Sequence, residues 1–432
     1  MKMTKIFFAM AVCFSALTAV NAQEQPKEDT LQKTLDNILS DLKVMKRLKV
    51  SGYIQAQAQF ADSMGIASFA GGNFNANTDK RFSVRRGRIK FVYDNSLSQY
   101  VLQFDVTERG MGIKDAYVRF TDPWAKSIHA TIGVFDRPFG FEIGYSSSSR
   151  ESPERGRMSQ IIFPRERELG AMLTFQMPKE WKMNFLKIDA GLFNGSGPTA
   201  VDFDYQKDFI GRIRIDKVSK SEKFKYGFGV SYYDGGWRQG TSKVYSMDQD
   251  SGGTMAFLLD RDTANFGAIS KRNYMGADIQ FSYDFPFGLT TLRAEYIQGS
   301  QPGSSSSLAS PAVQPTTDNY DRNFDGAYFY FIQDIFQTKH QLVVKYDWFD
   351  PNTDVSGDNI GKSAFPATSY MKTGRADFKY TTIGIGWIYR WDSNLKIIAY
   401  YDMVTNETSK NVALMGKDLS DNVFTLRFQY KF

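Results

Sequence analysis

Basic side chains that could bind an anion are concentrated in the stretch RFSVRRGRIKFVYD, residues 81–94. It contains Arg85, Arg86, Arg88 and Lys90. In an extended chain the last three of these lie on one face, and Gly87, Ile89, Phe91 and Tyr93 lie on the other. A guanidinium group stays charged at neutral pH, and its planar fork fits the oxygens of a phosphate or a carboxylate. The pattern predicts a row of cations that attracts anions.

A second group of arginines lies in PFGFEIGYSSSSRESPERGRMSQIIFPRER, residues 138–167. Its basic residues are Arg150, Arg155, Arg157, Arg165 and Arg167, and the acids among and beside them are Glu142, Glu151, Glu154, Glu166 and Glu168. Two interpretations remain open. The segment folds into an enclosed space and lines it with guanidinium groups, or it is an exposed loop whose ion pairs each contribute little stability.

A third pair, Arg212 and Arg214, shares one strand face, with Asp208 and Asp216 at the strand ends. Strict alternation would place Arg85 on the apolar face of its strand. We therefore expect it to lie near a membrane interface or beside a bulge that turns it inward. Lys114 and Lys396 are further candidates for the same charged surface.

Catalytic chemistry has few candidates. His129 and His340 are the only histidines, and nucleophilic catalysis needs a base aligned beside a nucleophile. No motif adjoins either histidine, so we predict that the protein is not an enzyme; the alternative is a hydrolase that uses serine with one of them. No cofactor motif or cluster of metal ligands is visible in the sequence, and we predict neither a cofactor nor a metal site.

Export is predicted by residues 1–22, MKMTKIFFAMAVCFSALTAVNA. A basic start at Lys2 and Lys5, an apolar stretch and a small-residue cleavage site are typical of a secretory signal peptide. Cleavage after Ala22 removes the only cysteine, Cys13, and leaves 51 basic against 47 acidic residues, a formal charge of +4. This small excess, without a basic tract, argues against a nucleic-acid partner.

Residues 50–432 alternate polar and apolar side chains in runs of about ten. Aromatic residues make up 15% of the chain, its mean hydropathy is negative, and no later apolar run reaches the roughly 20 residues of a membrane helix. An exported chain with this profile is typical of a transmembrane antiparallel β-barrel. We count about sixteen runs: 50–60, 81–94, 98–107, 112–121, 128–137, 168–176, 183–194, 207–216, 224–234, 272–284, 288–299, 325–335, 340–350, 377–391, 394–404 and 421–432.

The final residues, TLRFQYKF, alternate to the last position. In a closed barrel the last strand pairs with the first and leaves no free edge. Phe428, Tyr430 and Phe432 then face lipid and resemble the terminal signal read by the outer-membrane assembly machinery. Short turns are expected on the periplasmic side, and long outer loops are expected at 61–80, 138–167, 235–271, 300–324, 351–376 and 405–420.

Residues 23–49 form the remaining predicted unit, a polar linker followed by a short heptad pattern. Apolar residues recur at spacings of four and three at Leu31, Leu35, Ile38, Leu42 and Met45, and the pattern ends at Lys49. Either it forms a periplasmic coiled coil that joins subunits, or it forms one amphipathic helix that packs on another surface.

Charged side chains on lipid cost several kcal/mol each, so the cations should face the lumen of the barrel. There they would set the selectivity of a passive pore. The order of RRGRIKF (85–91), GIKDAYVRF (112–120), GVFDRPFGFE (133–142), SSSSRESPER (146–155) and RERELG (165–170) resembles the phosphate-selective porin O and P family of Gram-negative outer membranes. These motifs cover about 85 residues, and the short heptad segment is similar to family members from Bacteroidetes-type bacteria.

The resemblance implies a sixteen-stranded trimer in which an arginine ladder leads anions such as phosphate to a constriction. Arg85 and Arg86 match the paired strand arginines of the family, Arg155 the arginine after Glu in the inward loop, and Arg167 the one before the next strand. The chain departs from the family in the acids that interleave with its loop arginines. A non-selective porin, an oligosaccharide porin and a surface adhesin or receptor therefore remain alternatives.

Overall fold

The structure, a computed structural model, describes residues 28–432. Alternation of polar and apolar residues produces nineteen strands in this part of the chain. The predicted signal peptide lies outside the described residues. The strands are β1 Leu48–Ala61, β2 Lys80–Asn95, β3 Ser98–Thr107, β4 Gly110–Thr121, β5 Ile128–Asp136, β6 Arg167–Gln176, β7 Leu186–Phe193, β8 Asp208–Val218, β9 Phe224–Arg238, β10 Val244–Gln249, β11 Met255–Asp260, β12 Ile269–Phe285, β13 Gly288–Gly303, β14 Asn319–Asp334, β15 His340–Asp350, β16 Tyr370–Met371, β17 Tyr380–Arg390, β18 Leu395–Asn406 and β19 Val423–Lys431.

Sixteen of these strands close into a barrel, each pairing with its neighbours in the ring. The last strand, β19, lies antiparallel to β1, with Tyr53 opposite Lys431 and Ala61 opposite Val423. The backbone of Phe432 exchanges two hydrogen bonds with Gly52, at 3.1 and 3.0 Å, and so extends this seam to the last residue. All sixteen predicted runs correspond to barrel strands, and the predicted fold class is confirmed.

The outer surface of the barrel is apolar because each strand turns one face outward. On β1, Ile54 and Phe60 are about half exposed, whereas Gln55, Gln57 and Gln59 are buried inside. Exposed aromatic side chains cluster where the strands end. Phe285 and Phe287 stack with their ring centroids 4.8 Å apart. A band of apolar side chains bordered by aromatic residues is the surface that a membrane-spanning barrel presents to lipid.

The two ends of the barrel differ in the length of their connections. At one end, here called the short-turn end, the connections are 96–97, 122–127, 177–185, 219–223, 286–287, 335–339 and 391–394. At the other, the long-loop end, they are 62–79, 108–109, 137–166, 194–207, 239–268, 304–318, 351–379 and 407–422. The connection 108–109 is a tight turn among long loops.

Three further strands, β10, β11 and β16, lie within the long loops. Within the predicted loop 235–271, β10 and β11 form a hairpin, with Val244 opposite Asp260. β10 also runs parallel to β14, and β11 pairs with β16. The expected long loop at 235–271 is present as the connection 239–268, and backbone pairing with neighbouring loops extends the sheet beyond the barrel there.

A helix, α1, spans Glu28–Arg47 and contains most of the predicted heptad segment. Its apolar residues Leu35, Ile38, Leu42 and Met45 are exposed, with 45 to 70% of their surface accessible. This exposure fits either of the two predicted roles of the helix. No helix among residues 28–432 is both long enough and apolar enough to cross a membrane.

Candidate functional site

The interior of the barrel is crossed by residues 137–166, here called the crossing segment, which connects β5 to β6. Its Ser152 hydroxyl lies 2.7 Å from the hydroxyl of Tyr330 on β14. Its Arg157 backbone N–H donates to Asp347 on β15 at 3.3 Å. β15 is eight places from β5 in the ring of sixteen strands. The segment therefore reaches from one wall of the barrel to the opposite wall.

The turn Pro138-Phe139-Gly140 fixes the start of the crossing segment on β13. The backbone N–H groups of Phe141 and Glu142 both donate to Oε2 of Glu295 at 3.0 Å. Gly140 has a φ of +61°, and a Cβ added to it would lie 1.8 Å from Oε1 of Glu295. Glycine is required here because the backbone both adopts a left-handed conformation and passes directly against a carboxylate.

Apolar residues of the crossing segment fill part of the interior. Phe139 and Phe163 lie with ring centroids 5.1 Å apart, and both pack against Tyr233 of β9 and Tyr274 of β12. A short helix, α2, spans Arg157–Ile162 and adds buried apolar side chains. This packing holds the segment rigidly and leaves its charged side chains to line the remaining space.

Glu154 of the crossing segment binds three arginines from the barrel wall. Its carboxylate lies 2.9 Å from Nε of Arg85, 2.7 Å from Nη2 of Arg86 and 2.8 Å from Nη2 of Arg427. Burial alone would raise the pKa of Glu154, but the three guanidinium groups outweigh burial and hold the pKa well below its usual range. One negative charge is therefore shared among three positive charges.

Glu166, at the end of the crossing segment, is shared in the same way. It forms ion pairs with Lys114, Arg155 and Arg167. Burial would raise the pKa of Glu166, but these cations outweigh it and hold the pKa well below its usual range. Arg167 also contacts Asp115 and Asp136, each at 2.9 Å.

The combined cluster carries more positive than negative charge. Its seven cations are Arg85, Arg86, Lys90, Lys114, Arg155, Arg167 and Arg427, and its four carboxylates are Asp115, Asp136, Glu154 and Glu166. Glu154 and Glu166 each contact three cations and Asp115 contacts two, whereas Asp136 pairs with Arg167. Because the seven cations outnumber the four carboxylates, the acids orient the cations and the cluster keeps a net positive charge.

A cavity of about 310 Å³, here called the basic chamber, lies between the crossing segment and the short-turn end. Its basic lining residues are Lys90, Arg119, Arg137, Lys187, Arg212 and Arg214, and its acidic ones are Asp115, Asp136 and Asp189. Phe141 and Tyr145 of the crossing segment also line it. An anion in this chamber would meet twice as many cationic as anionic side chains.

A second cavity of about 700 Å³, here called the apolar chamber, lies between the crossing segment and the long-loop end. Phe69, Phe349, Phe378 and Tyr380 contribute rings to its wall. Arg157 of the crossing segment lines it as well. The two chambers on either side of the segment therefore differ in chemical character.

The other predicted anion-binding residues occupy varied environments. Arg88 pairs with Asp105 at 3.1 Å, Arg212 with Asp278 at 2.7 Å, and Arg214 with Asp216 at 2.6 Å. Asp208, at the start of β8, pairs with Arg272. Arg165 is exposed to solvent on the surface of the segment. The predicted set therefore divides into members of the cluster, separate ion pairs and an exposed arginine.

Arg150 is buried, and none of its three guanidinium nitrogens has a hydrogen-bond partner in the described part of the chain. Burial, with the nearby charges of Arg155 and Arg86, lowers the pKa of Arg150 to about 9. Its backbone carbonyl accepts a hydrogen bond from Lys396 at 3.1 Å, which places Lys396 beside the segment.

Arg85 reaches the interior although its parity predicted the apolar face. Arg85 and Arg86 are adjacent in sequence, yet both bind Glu154. Arg81 also points inward, since its Nε donates to Gln59 at 2.8 Å. The alternation of β2 therefore changes phase between Arg85 and Arg86, which corresponds to the second of the two expectations for Arg85.

Several residues of the site were missed by sequence reasoning. Arg427, Arg119, Arg137 and Lys187 carry charge into the interior and were not predicted as anion-binding. Arg427 lies between Leu426 and Phe428 on the polar face of the last strand, so parity alone could have found it. The two histidines contact Thr121 Oγ1 (His129, 2.9 Å) and the indole N–H of Trp387 (His340, 3.2 Å).

No model of a known protein family matches this sequence, and no curated protein matches it. Solved structures match the fold. The outer membrane channel DcaP of Acinetobacter baumannii is similar with a TM-score of 0.51 at 11% identity, over 89% of this chain and 97% of that chain. At this identity the likeness shows the fold alone.

Two further solved structures have lower scores. OmpT, an outer membrane protein of Vibrio cholerae in its trimer form, is similar with a TM-score of 0.49 at 10% identity, over 89% of this chain and 99% of that chain. OmpF of Salmonella typhi, in complex with daunomycin, has a TM-score of 0.49 at 10% identity, over 89% of this chain and 97% of that chain.

Proposed function

We propose that this chain is a porin of a Gram-negative outer membrane that lets small solutes diffuse passively. The closed sixteen-stranded barrel, its apolar outer band and the segment that narrows its interior support this assignment. So does the shared fold with an outer membrane channel. In this orientation the short-turn end faces the periplasm and the long-loop end faces the outside, as in bacterial outer-membrane barrels.

The pore prefers anions, and phosphate is the solute that the family resemblance indicates. The observation that carries this preference is the sharing of Glu154 by Arg85, Arg86 and Arg427. Excess positive charge in a narrow, low-dielectric space raises the local concentration of anions. The pathway then comprises Arg85, Arg86, Arg88, Lys90, Arg150, Arg155, Arg157, Arg165, Arg167, Arg212 and Arg214, joined by Arg427 and the basic chamber.

Assembly and oligomerisation complete the proposal. Phe428, Tyr430 and Phe432 turn outward at the barrel seam, with 44 to 58% of their surface exposed, and serve as the signal for the assembly machinery. The protein forms a homotrimer in the membrane, and α1 pairs with its copies as a short coiled coil. Lipid contacts the remaining apolar surface.

The reversal potential of the refolded protein in a planar bilayer under a KCl gradient tests the anion preference. We expect a potential near the chloride limit and a conductance that added phosphate reduces. Replacing two partly exposed cations of the basic chamber, Lys90→Glu with Arg119→Glu, should move the potential towards zero or towards potassium. A matched control, Lys182→Glu with Lys220→Glu, changes exposed lysines in short turns and should leave it unchanged. A wild-type potential near zero would identify a general porin instead.

A further inference from the structure

The apolar chamber combines a size and a lining that suit an organic molecule better than an inorganic ion. Its volume of about 700 Å³ falls within the range of about 300–1,000 Å³ that is usual for small-molecule sites. Phe69, Met64, Ile161 and Leu414 present apolar surface to it. A phosphate ion would gain nothing from these walls, because apolar surface stabilises only a ligand that has apolar surface to bury.

Arg157 provides the chamber with one buried cation whose Nε lacks a hydrogen-bond partner among residues 28–432. Its side chain is 7% exposed. The guanidinium lies over two aromatic rings, 4.5 Å from the centroid of Phe69 and 3.8 Å from that of Tyr380. Contact with ring faces does not use the N–H donors of the guanidinium, which can still bind an acceptor in its plane.

Three carboxylates, those of Asp347, Asp402 and Asp421, act on this cation. Asp347 faces Arg157 but is already paired with Lys345 at 2.8 Å. Asp421 lines the same chamber and is 6% exposed, and its Oδ1 has no hydrogen-bond partner among residues 28–432. Arg375 lies at the wall of the chamber as a second cation. The chamber therefore combines a buried guanidinium with an unpartnered Nε, a buried carboxylate with an unpartnered Oδ1, an exposed arginine and an apolar wall.

We propose that the apolar chamber binds an amphipathic organic anion, whose acidic group contacts Arg157 and whose aromatic or aliphatic body lies against Phe69, Ile161 and Leu414. This inference rests on the proposed function and deepens it. Organic anions dwell in the apolar chamber before they pass the crossing segment, whereas small inorganic anions are concentrated only by the basic cluster. The pore thereby discriminates among anions by their apolar surface.

The probe is 1-naphthalenesulfonate, which is anionic throughout the working pH range. Its half-blocking concentration in planar bilayers is compared with those of methanesulfonate, which has the same acidic group without the rings, and of 1-naphthalenemethanol, which has the rings without the charge. We expect 1-naphthalenesulfonate to block at a concentration about tenfold lower than either, since burial of the rings and the contact with Arg157 act together. Equal blocking by 1-naphthalenesulfonate and methanesulfonate would refute the site.

Arg157→Gln should raise the half-blocking concentration of 1-naphthalenesulfonate about tenfold and leave that of methanesulfonate nearly unchanged. Arg261→Gln is the matched control, because Arg261 is an exposed arginine of a long loop outside the chamber. If Arg157→Gln does not form channels, Phe69→Ala decides the question, since it removes one wall and one stacking ring. Unchanged block in Phe69→Ala would then overturn the proposal.

Fluorescence of 1-naphthalenesulfonate titrated with the refolded wild-type protein tests the binding site separately from the proposed porin function. Binding without channel activity would support the chamber and contradict the porin assignment. Channels that prefer chloride but bind 1-naphthalenesulfonate no better than methanesulfonate would leave the proposed function intact and reject the organic-anion site.

Discussion

Arg427 and Glu154 lie 2.8 Å apart, from Nη2 to Oε1, although 273 positions separate them in the chain. Arg427 belongs to the strand that closes the barrel, and Glu154 belongs to the segment that crosses its interior. Nη1 of Arg427 also donates to the carbonyl of Pro153 at 2.6 Å. Closure of the barrel and placement of the crossing segment are thus coupled through one arginine.

Glu154→Gln should make the pore more selective for anions. The substitution removes the carboxylate shared by Arg85, Arg86 and Arg427 and leaves all three positive charges in place. The reversal potential under a KCl gradient should move further towards the chloride limit. Loss of a buried partner should also lower the stability of the folded barrel by about 3 kcal/mol, measured by urea unfolding in detergent.

The control for this substitution is Glu180→Gln, which removes the same charge from an exposed position in the turn 177–185. It should change neither the reversal potential nor the stability. A potential that is equally unchanged in Glu154→Gln would mean that the interior arginines do not set the selectivity.

Gly140→Ala should loosen the crossing segment. The new Cβ would meet Oε1 of Glu295 at 1.8 Å, and alanine is strained at a φ of +61°, at a cost of at least about 1 kcal/mol. We expect a larger and noisier single-channel conductance and faster proteolysis of the segment. Gly144→Ala provides the comparison, since a Cβ on Gly144 would have no atom within 4 Å. Identical conductance in the two variants would show that the turn at Gly140 does not anchor the segment.

The sequence predicted the barrel because its rule is local: alternating residues on each strand face opposite sides. Gln55, Gln57 and Gln59 lie inside as that rule requires. The rule fails where the interior itself is apolar. Tyr233 and Tyr274 are buried inside the barrel because the crossing segment brings Phe139 and Phe163 against them. The residues of this contact are far apart in the sequence, so no local pattern predicts it.

The candidate site was predictable only in part for the same reason. The sequence indicated that Arg86 and Arg88 face inward. It could not show that Glu154 forms ion pairs with three arginines from two strands that are far apart in the sequence. The contacts of Arg157 with the rings of Phe69 and Tyr380 depend on two loops and a strand end that meet only in the folded chain. The alternation along a strand identifies the face that a residue occupies, whereas its ion-pair partners are known only from the tertiary fold.

Deletion of Phe432 should lower the yield of assembled barrel. Its backbone forms two hydrogen bonds with Gly52 across the seam, and its ring is 58% exposed on the outer surface. The amount of heat-modifiable protein in the outer-membrane fraction measures assembly. Phe432→Tyr retains an aromatic ring and both hydrogen bonds and should assemble normally. Normal assembly of the deletion variant would exclude the terminal residue as part of the signal.

Binding of the organic anion should depend on pH through Asp421. Burial raises the pKa of Asp421 to about 6, against the opposing effect of Arg157, and the carboxylates of Asp418 and Asp62 face it as well. Above that pH the charged Asp421 competes for Arg157 and repels an anion; below it the neutral form does neither. The half-blocking concentration of 1-naphthalenesulfonate should therefore fall between pH 8 and pH 5, with a midpoint near 6.

Asp421→Asn should abolish this dependence and show, at every pH, the tight block that the wild type shows only in acid. The stability of the fold should also increase as the pH falls, because a raised pKa means that the native state binds the proton more strongly than the unfolded chain does. The variant should thus be more stable than the wild type at pH 8, and the difference should vanish only below about pH 4, where the carboxyl group is protonated in the unfolded chain as well. A midpoint that persists in Asp421→Asn would assign the titration to another group near Arg157.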